Sequence, residues 1–211
     1  MVAAVHVIRE GHHDDWDSGL TLRDARTEYF RFNGFGEDGG YGDKWVDFKL
    51  GPIPFPFPNT PARVEAVRYH DLHHVMTGYQ TDFLGELEIS AWEVGSHCAD
   101  MVAAWVLNLG GFAAGMMLAP RRTFAAFVRG RRTKNLYRHA YDDALLGRTV
   151  GDVRAELGLD RDVGAATFSD KVAAAAWFGI GFVVGMVLFW TLVPLAPIGY
   201  VIGHAFKPRS S

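Results

Sequence analysis

The chain has 211 residues, 49% of them hydrophobic, which is enough for one sizeable core and is the usual size of a single domain. Its lone cysteine, Cys98, rules out an intramolecular disulfide, so a secreted disulfide scaffold is not indicated and a buried, inert thiol is expected. The formal net charge of −3 hides an asymmetry: residues 1–100 hold 17 acids and 8 Lys/Arg, whereas residues 101–141 hold seven Lys/Arg and no acid.

The first residues lack the positive n-region and long apolar stretch of a signal peptide and are too acidic for a transit peptide. His12, His13, Asp14 and Asp15 carry metal-ligand chemistry but show no periodicity, so a solvated loop is expected there. Residues 22–32 read as a short helix with Thr21 as N-cap and Asp24 three residues on. A turn region follows, with Gly34, Gly36, Gly39, Gly40 and Gly42 but no phosphate-loop pattern. Residues 45–51 alternate like a strand. Prolines at 52, 54, 56 and 58 then force an extended, polyproline-like path, with Phe55 and Phe57 expected to strap the helical core. Residues 62–76 are expected to be helical.

That helix carries His70 and His74, four apart and hence on one face, with Asp71 at its edge. Thr77-Gly78 offers a break, after which a second apolar run brings Glu86 back toward the histidines. Two imidazoles and carboxylates in this arrangement suit Zn²⁺ or non-haem iron. His73 and His97 lie nearby and are not expected to be ligands. Residues 101–119 form an uncharged helix with Asn108 and Gly110-Gly111 in its middle. Gly111 and Gly115 would allow close approach of another helix or of a ligand tail. The cations that follow, Arg121, Arg122, Arg129, Arg131, Arg132, Lys134 and Arg138, alternate with apolar residues and fit anionic lipid headgroups. No nucleic-acid partner is expected, because the chain as a whole is acidic and carries no such motif.

Residues 145–157 are expected to form one helix ending at Gly158, and the polar residues 160–170 a linker. From Val172 there are 22 apolar residues before Pro194, enough to span ~30 Å of hydrocarbon. Trp177 and Trp190 stand near its ends, Gly181 and Gly185 offer a helix-pairing face for a homo-oligomer, and residues 198–206 re-enter the bilayer or lie on it. The expected fold is mainly α, a multi-helix domain with a short extended, Pro-rich N-terminal strap and a C-terminal transmembrane or membrane-embedded helix. Its parts are a loop-rich segment (1–59), a metal-binding helical core (60–160), a linker (161–171) and a hydrophobic membrane segment (172–206).

His70, Asp71, His74 and Glu86 together read H-D-x-x-H-x₁₁-E, and this pattern resembles the signature of the coenzyme Q biosynthesis protein 4 family. The segments at 85–93, 105–122 and 141–159, the last ending GDVRAELGL, are similar to helices of that family, so the likeness covers about residues 60–160. It implies that His70, Asp71, His74 and Glu86 hold Zn²⁺ or Fe²⁺, with Asp71 alternatively orienting a histidine and Glu86 alternatively accepting a proton. It further implies a prenylated 4-hydroxybenzoate-type substrate whose ring carboxylate is oxidatively replaced by hydroxyl, with the uncharged helix taking the tail and Arg121 or Arg122 an anionic group. Other quinone-biosynthesis proteins would be partners. A bacterial or mitochondrial inner membrane would be the location, with the soluble part on the cytoplasmic or matrix side. The family ends near residue 160 and attaches peripherally, so the apolar tail is a departure from it. Two other readings stand beside this one. The first is a non-catalytic lipid-binding scaffold whose metal site is closed to water. The second is a His-Asp phosphohydrolase, which needs an earlier His and a later Asp.

Overall fold

In a computed structural model, residues 7–50, 53–192, 194 and 197 are described, with backbone alone at 10, 47–50, 53–57 and 192. They form two antiparallel hairpins and eight helices, so the chain is mainly α as expected. The hairpins are β1 (Val7–Glu10) with β2 (His13–Trp16), and β3 (Trp45–Leu50) with β4 (Ile53–Pro58). The helices are α1 (Leu22–Asn33), α2 (Pro61–Thr77), α3 (Phe83–Ser96), α4 (Val102–Leu118), α5 (Pro120–Arg132), α6 (Asp143–Leu146), α7 (Val150–Leu157) and α8 (Phe168–Leu192).

The helix boundaries follow from capping chemistry. Thr21, Thr60 and Asp82 each accept a backbone N–H three residues on, and Pro61 sits in the first turn of α2, where its missing donor costs nothing. Gly34, Gly78 and Gly158 end α1, α2 and α7 in the left-handed conformation. At Gly78 the choice is doubly constrained. Its φ is 77°, and an added Cβ would lie 2.7 Å from the Asp14 carbonyl oxygen, because β2 runs against this corner. The Asp14 N–H donates to the Gly78 carbonyl at 2.8 Å.

Three expectations are corrected. Residues 12–15 are not a solvated loop: His13–Trp16 is a strand whose Asp14 and Trp16 turn inward. Asp14 tolerates burial because Arg9 donates to both its oxygens, at 2.7 and 2.8 Å, and Gln80 to one at 3.1 Å. Residues 145–157 are two helices, because Thr149 caps α7 through the Asp152 N–H and interrupts the ladder. The proline-rich stretch is extended but pairs as a strand, with Pro54, Pro56 and Pro58 opposite Lys49, Asp47 and Trp45. Prolines at every second position leave the donors of residues 53, 55 and 57 on one side, which is what an edge strand needs. The placement of Phe55 and Phe57 as a strap concerns side chains outside the described residues, as does the path of residues 198–206.

Helices α3, α4 and α5 pack closely, and small residues permit it. A Cβ at Gly130 would overlap the Trp92 carbonyl oxygen, and one at Gly95 the Phe127 carbonyl oxygen, so α3 and α5 cross nearly backbone to backbone. Gly111 of α4 lies against Ser90 of α3, and Gly115 against Thr123 of α5, so both glycines serve helix packing. Helix α8 lies along α4, with Trp177 stacked on Trp105 at 5.0 Å and Gly181 close to the Leu109 carbonyl. Its length and composition suffice to cross a membrane, and its outer face shows Ile180, Phe182, Val183, Val187, Phe189 and Trp190. Gly185 faces open space, whereas Gly181 is already used within the chain.

Gly130→Ala should destabilise the detergent-solubilised protein by about 1–3 kcal/mol through overpacking. Gly110→Ala, with nothing within 4 Å of its Cβ, should stabilise it by about 0.5–1 kcal/mol from helix propensity alone. Denaturant midpoints of the two variants, shifting in opposite directions, check the packing.

Candidate metal centre

The third and fourth turns of α2 and the first turn of α3 face each other across the Gly78 corner, and there His70, His74 and Glu86 converge. Their two Nε2 atoms are 3.2 Å apart. Glu86 sets one oxygen 3.4 Å from His70 Nε2 and the other 3.4 Å from His74 Nε2. The far nitrogens fix the tautomers. His74 Nδ1 is 2.8 Å from the Tyr79 carbonyl, which only accepts, so Nδ1 carries the proton and Nε2 a lone pair. His70 Nδ1 is 3.0 Å from Glu93 Oε1, another acceptor, with the same consequence.

Nitrogen lone pairs and carboxylate oxygens thus point at one small volume, where they repel unless a cation sits among them. The donor set fits a metal ion on that ground. In its absence a proton on His70 Nε2 fills the role. Burial works against a charged imidazole, but the Glu93 and Glu86 carboxylates outweigh it and raise the His70 pKa well above the ordinary histidine range. Glu86 is held below the usual carboxylate range: its burial is outweighed by the electrostatic pull of the two neighbouring imidazoles and by hydrogen bonds to them. The centre has one open side, with the His74 side chain 1% exposed, His70 21% and Glu86 44%.

Asp71, expected as a ligand or as an orienting group, stands outside this donor set. As the residue next to His70 it projects about 100° further round the helix. Its carboxylate accepts from the Tyr41 hydroxyl at 2.5 Å and from Tyr29 at 3.5 Å, and burial, partly offset by the Tyr41 bond, pushes its pKa up to about 6. Tyr29 in turn stacks on the His74 ring at 5.6 Å. Asp71 therefore supports the wall behind His74 through two phenols.

Two residues not expected in the site belong to its surroundings. His73 and Glu93 are fully buried, with His73 Nδ1 2.7 Å from Glu93 Oε1. Their spacing was a usable signal, since Glu93 lies two turns after Glu86 on α3 and His73 one turn after His70 on α2. Of the residues assigned to anions and lipid, Arg122 is paired with Glu88 at 2.5 Å while Arg121 is exposed. Further along, Arg131 and Arg132 both bind Asp170 of α8, at 2.9 and 2.8 Å. Arg129 donates to the Thr77 carbonyl at 2.9 Å. Much of the basic block is therefore engaged inside the fold. Cys98 is buried and free, its thiol pKa raised by burial, as expected of an inert cysteine.

His70→Ala and Glu86→Ala should each abolish stoichiometric metal while circular dichroism keeps its helical signal, and elemental analysis reads the difference. Because metal must displace the His70 proton, affinity should rise with pH by up to tenfold per unit while pH stays below that raised pKa, and one proton should appear per ion bound in a weakly buffered titration. Compared with known proteins, the chain matches no family model, no curated protein and no solved structure.

Proposed function

We propose that this chain is a membrane-associated, metal-dependent enzyme acting on a prenylated aromatic acid of the hydroxybenzoate class, on the way to ubiquinone or a related prenyl-quinone. The observation that carries this reading is the His70/His74/Glu86 donor set with its open side. Three protein ligands and a free position are the pattern of catalytic rather than structural sites. The imidazole nitrogens 3.2 Å apart, with one Glu86 oxygen 3.4 Å from each, suit a single ion held by all three residues; for two imidazoles and a carboxylate Zn²⁺ is the first choice and Fe²⁺ the second. Bound there, zinc would polarise a ring-carboxylate oxygen or acidify water, while iron would add dioxygen chemistry.

The chain's own groups suit such a substrate. Glu86 is half exposed, and once a metal has displaced the His70 proton its carboxylate can accept one at the open side. A Cβ added at Gly111 of the uncharged α4 would lie 4.0 Å from the Glu86 backbone carbonyl, so this apolar helix passes beside the turn of α3 that carries Glu86, and its exposed residues Leu107, Met117 and Leu118 offer apolar surface to an isoprenoid tail. Exposed Arg121 in the first turn of α5 offers a charge to a carboxylate or a headgroup. Helix α8 supplies attachment to the lipid phase from which a prenylated substrate comes.

The half-exposed Glu86 argues against the scaffold reading, which needs a closed site. The phosphohydrolase reading finds no support among the described residues, since no earlier histidine joins the donor set and Asp71 is bound by tyrosines. Metal-loaded protein in detergent, supplied with dioxygen as the two-electron oxidant, should convert a prenylated 4-hydroxybenzoate to the ring-hydroxylated product with release of CO₂ and hydrogen peroxide, as followed by mass spectrometry. Glu86→Gln should slow turnover by about 10²-fold or more. Stoichiometric metal without turnover on any prenylated aromatic acid would return the scaffold reading to the front.

A further inference from the structure

Glu93 is completely buried, and an ionised carboxylate without water is costly unless donors surround it. Four do. Oε1 receives His70 Nδ1–H at 3.0 Å and His73 Nδ1–H at 2.7 Å, while Oε2 receives the Tyr137 hydroxyl at 2.7 Å and the Asn108 amide. The His73 proton is fixed on Nδ1 because its Nε2 accepts the Leu136 backbone N–H at 3.0 Å. Every neighbour of Glu93 therefore donates, and the geometry requires the anion rather than the acid.

We propose that Glu93 is a positioning residue of the metal centre. It holds His70 as the Nδ1–H tautomer, so that Nε2 presents its lone pair, and it sets a negative charge behind that ligand. This rests on the reading of His70, His74 and Glu86 as metal ligands. The arrangement is a carboxylate–histidine–metal relay, in which the outer carboxylate also raises the basicity of the ligand nitrogen. His73, Tyr137 and Asn108 hold Glu93 in place from α2, the segment after α5, and α4, so the relay is anchored on three sides.

Full-length wild type and Glu93→Gln, both in detergent, are titrated with Zn²⁺ in competition with a chromophoric chelator. Glu93→Gln has the same shape but sets an amide where a carboxylate oxygen was, and a loss of 10–100-fold in zinc affinity with helicity retained is the expected result. Equal affinity in the two proteins overturns the role of Glu93 and leaves the metal site standing. Wild type that takes up no zinc overturns both. A purely structural Glu93 would lower the unfolding midpoint of the metal-free variant and leave affinity alone. If Glu93→Gln does not fold, ring ¹⁵N NMR of zinc-loaded wild type decides: His70 protonated on Nδ1 and ligated through Nε2 supports the proposal, and ligation through Nδ1 refutes it.

Discussion

A carboxylate cut off from water dictates much of how this chain packs. Glu93 can stay ionised only while α2 brings two imidazoles, α4 brings Asn108 and the segment after α5 brings Tyr137. Those contacts join residues up to 44 positions apart, and each element that supplies a donor is thereby fixed in rotation about its own axis. The rotation of α2 that turns His70 and His73 toward Glu93 also turns His74 toward Glu86. Buried polar satisfaction and the outer donor set are consequences of one helix orientation.

Close helix approach makes this possible. Gly95 and Gly130 let α3 and α5 cross with almost no side chain between them, and Gly111 lets α4 come up against Ser90 on α3. The last three carbonyls of α2 are taken up by arginines. Arg154 donates to the carbonyls of Val75 and Met76, at 3.0 Å each, and Arg129 to that of Thr77, so cations sit on the negative end of the helix that carries the histidines. A run of positive charge that looks in sequence like an external patch is partly this internal bracing.

Helix α8 is held to the rest by one face and one ion cluster. Asp170 meets Arg131 and Arg132, Trp177 stacks on Trp105, and Gly181 seats against α4, while the opposite face remains apolar and uncovered. An exposed apolar surface on that scale marks a contact with lipid or protein. Helix α4 packs against α8 on one side and against α3 on another, so it joins the candidate membrane helix to the helix that carries Glu86.

The helical character, the caps at Thr21 and Asp24, the long apolar C-terminal helix and the meeting of His70, His74 and Glu86 were all legible in the sequence. They depend on local rules: i, i+4 spacing, a breaker at Gly78, and a run of uncharged residues. Where residues 12–15 lie, how Asp71 points and what neutralises the arginines were not legible. Asp14 is buried because Arg9 and Gln80 reach it, Asp71 faces Tyr29 and Tyr41 because its neighbours on α2 face Glu93 and Glu86, and Arg131 meets an acid 39 residues later. Sequence by itself determined which residues could share a helix face. Tertiary structure alone decided which faces meet, because the satisfaction of a buried charge is settled by partners that are distant in the chain.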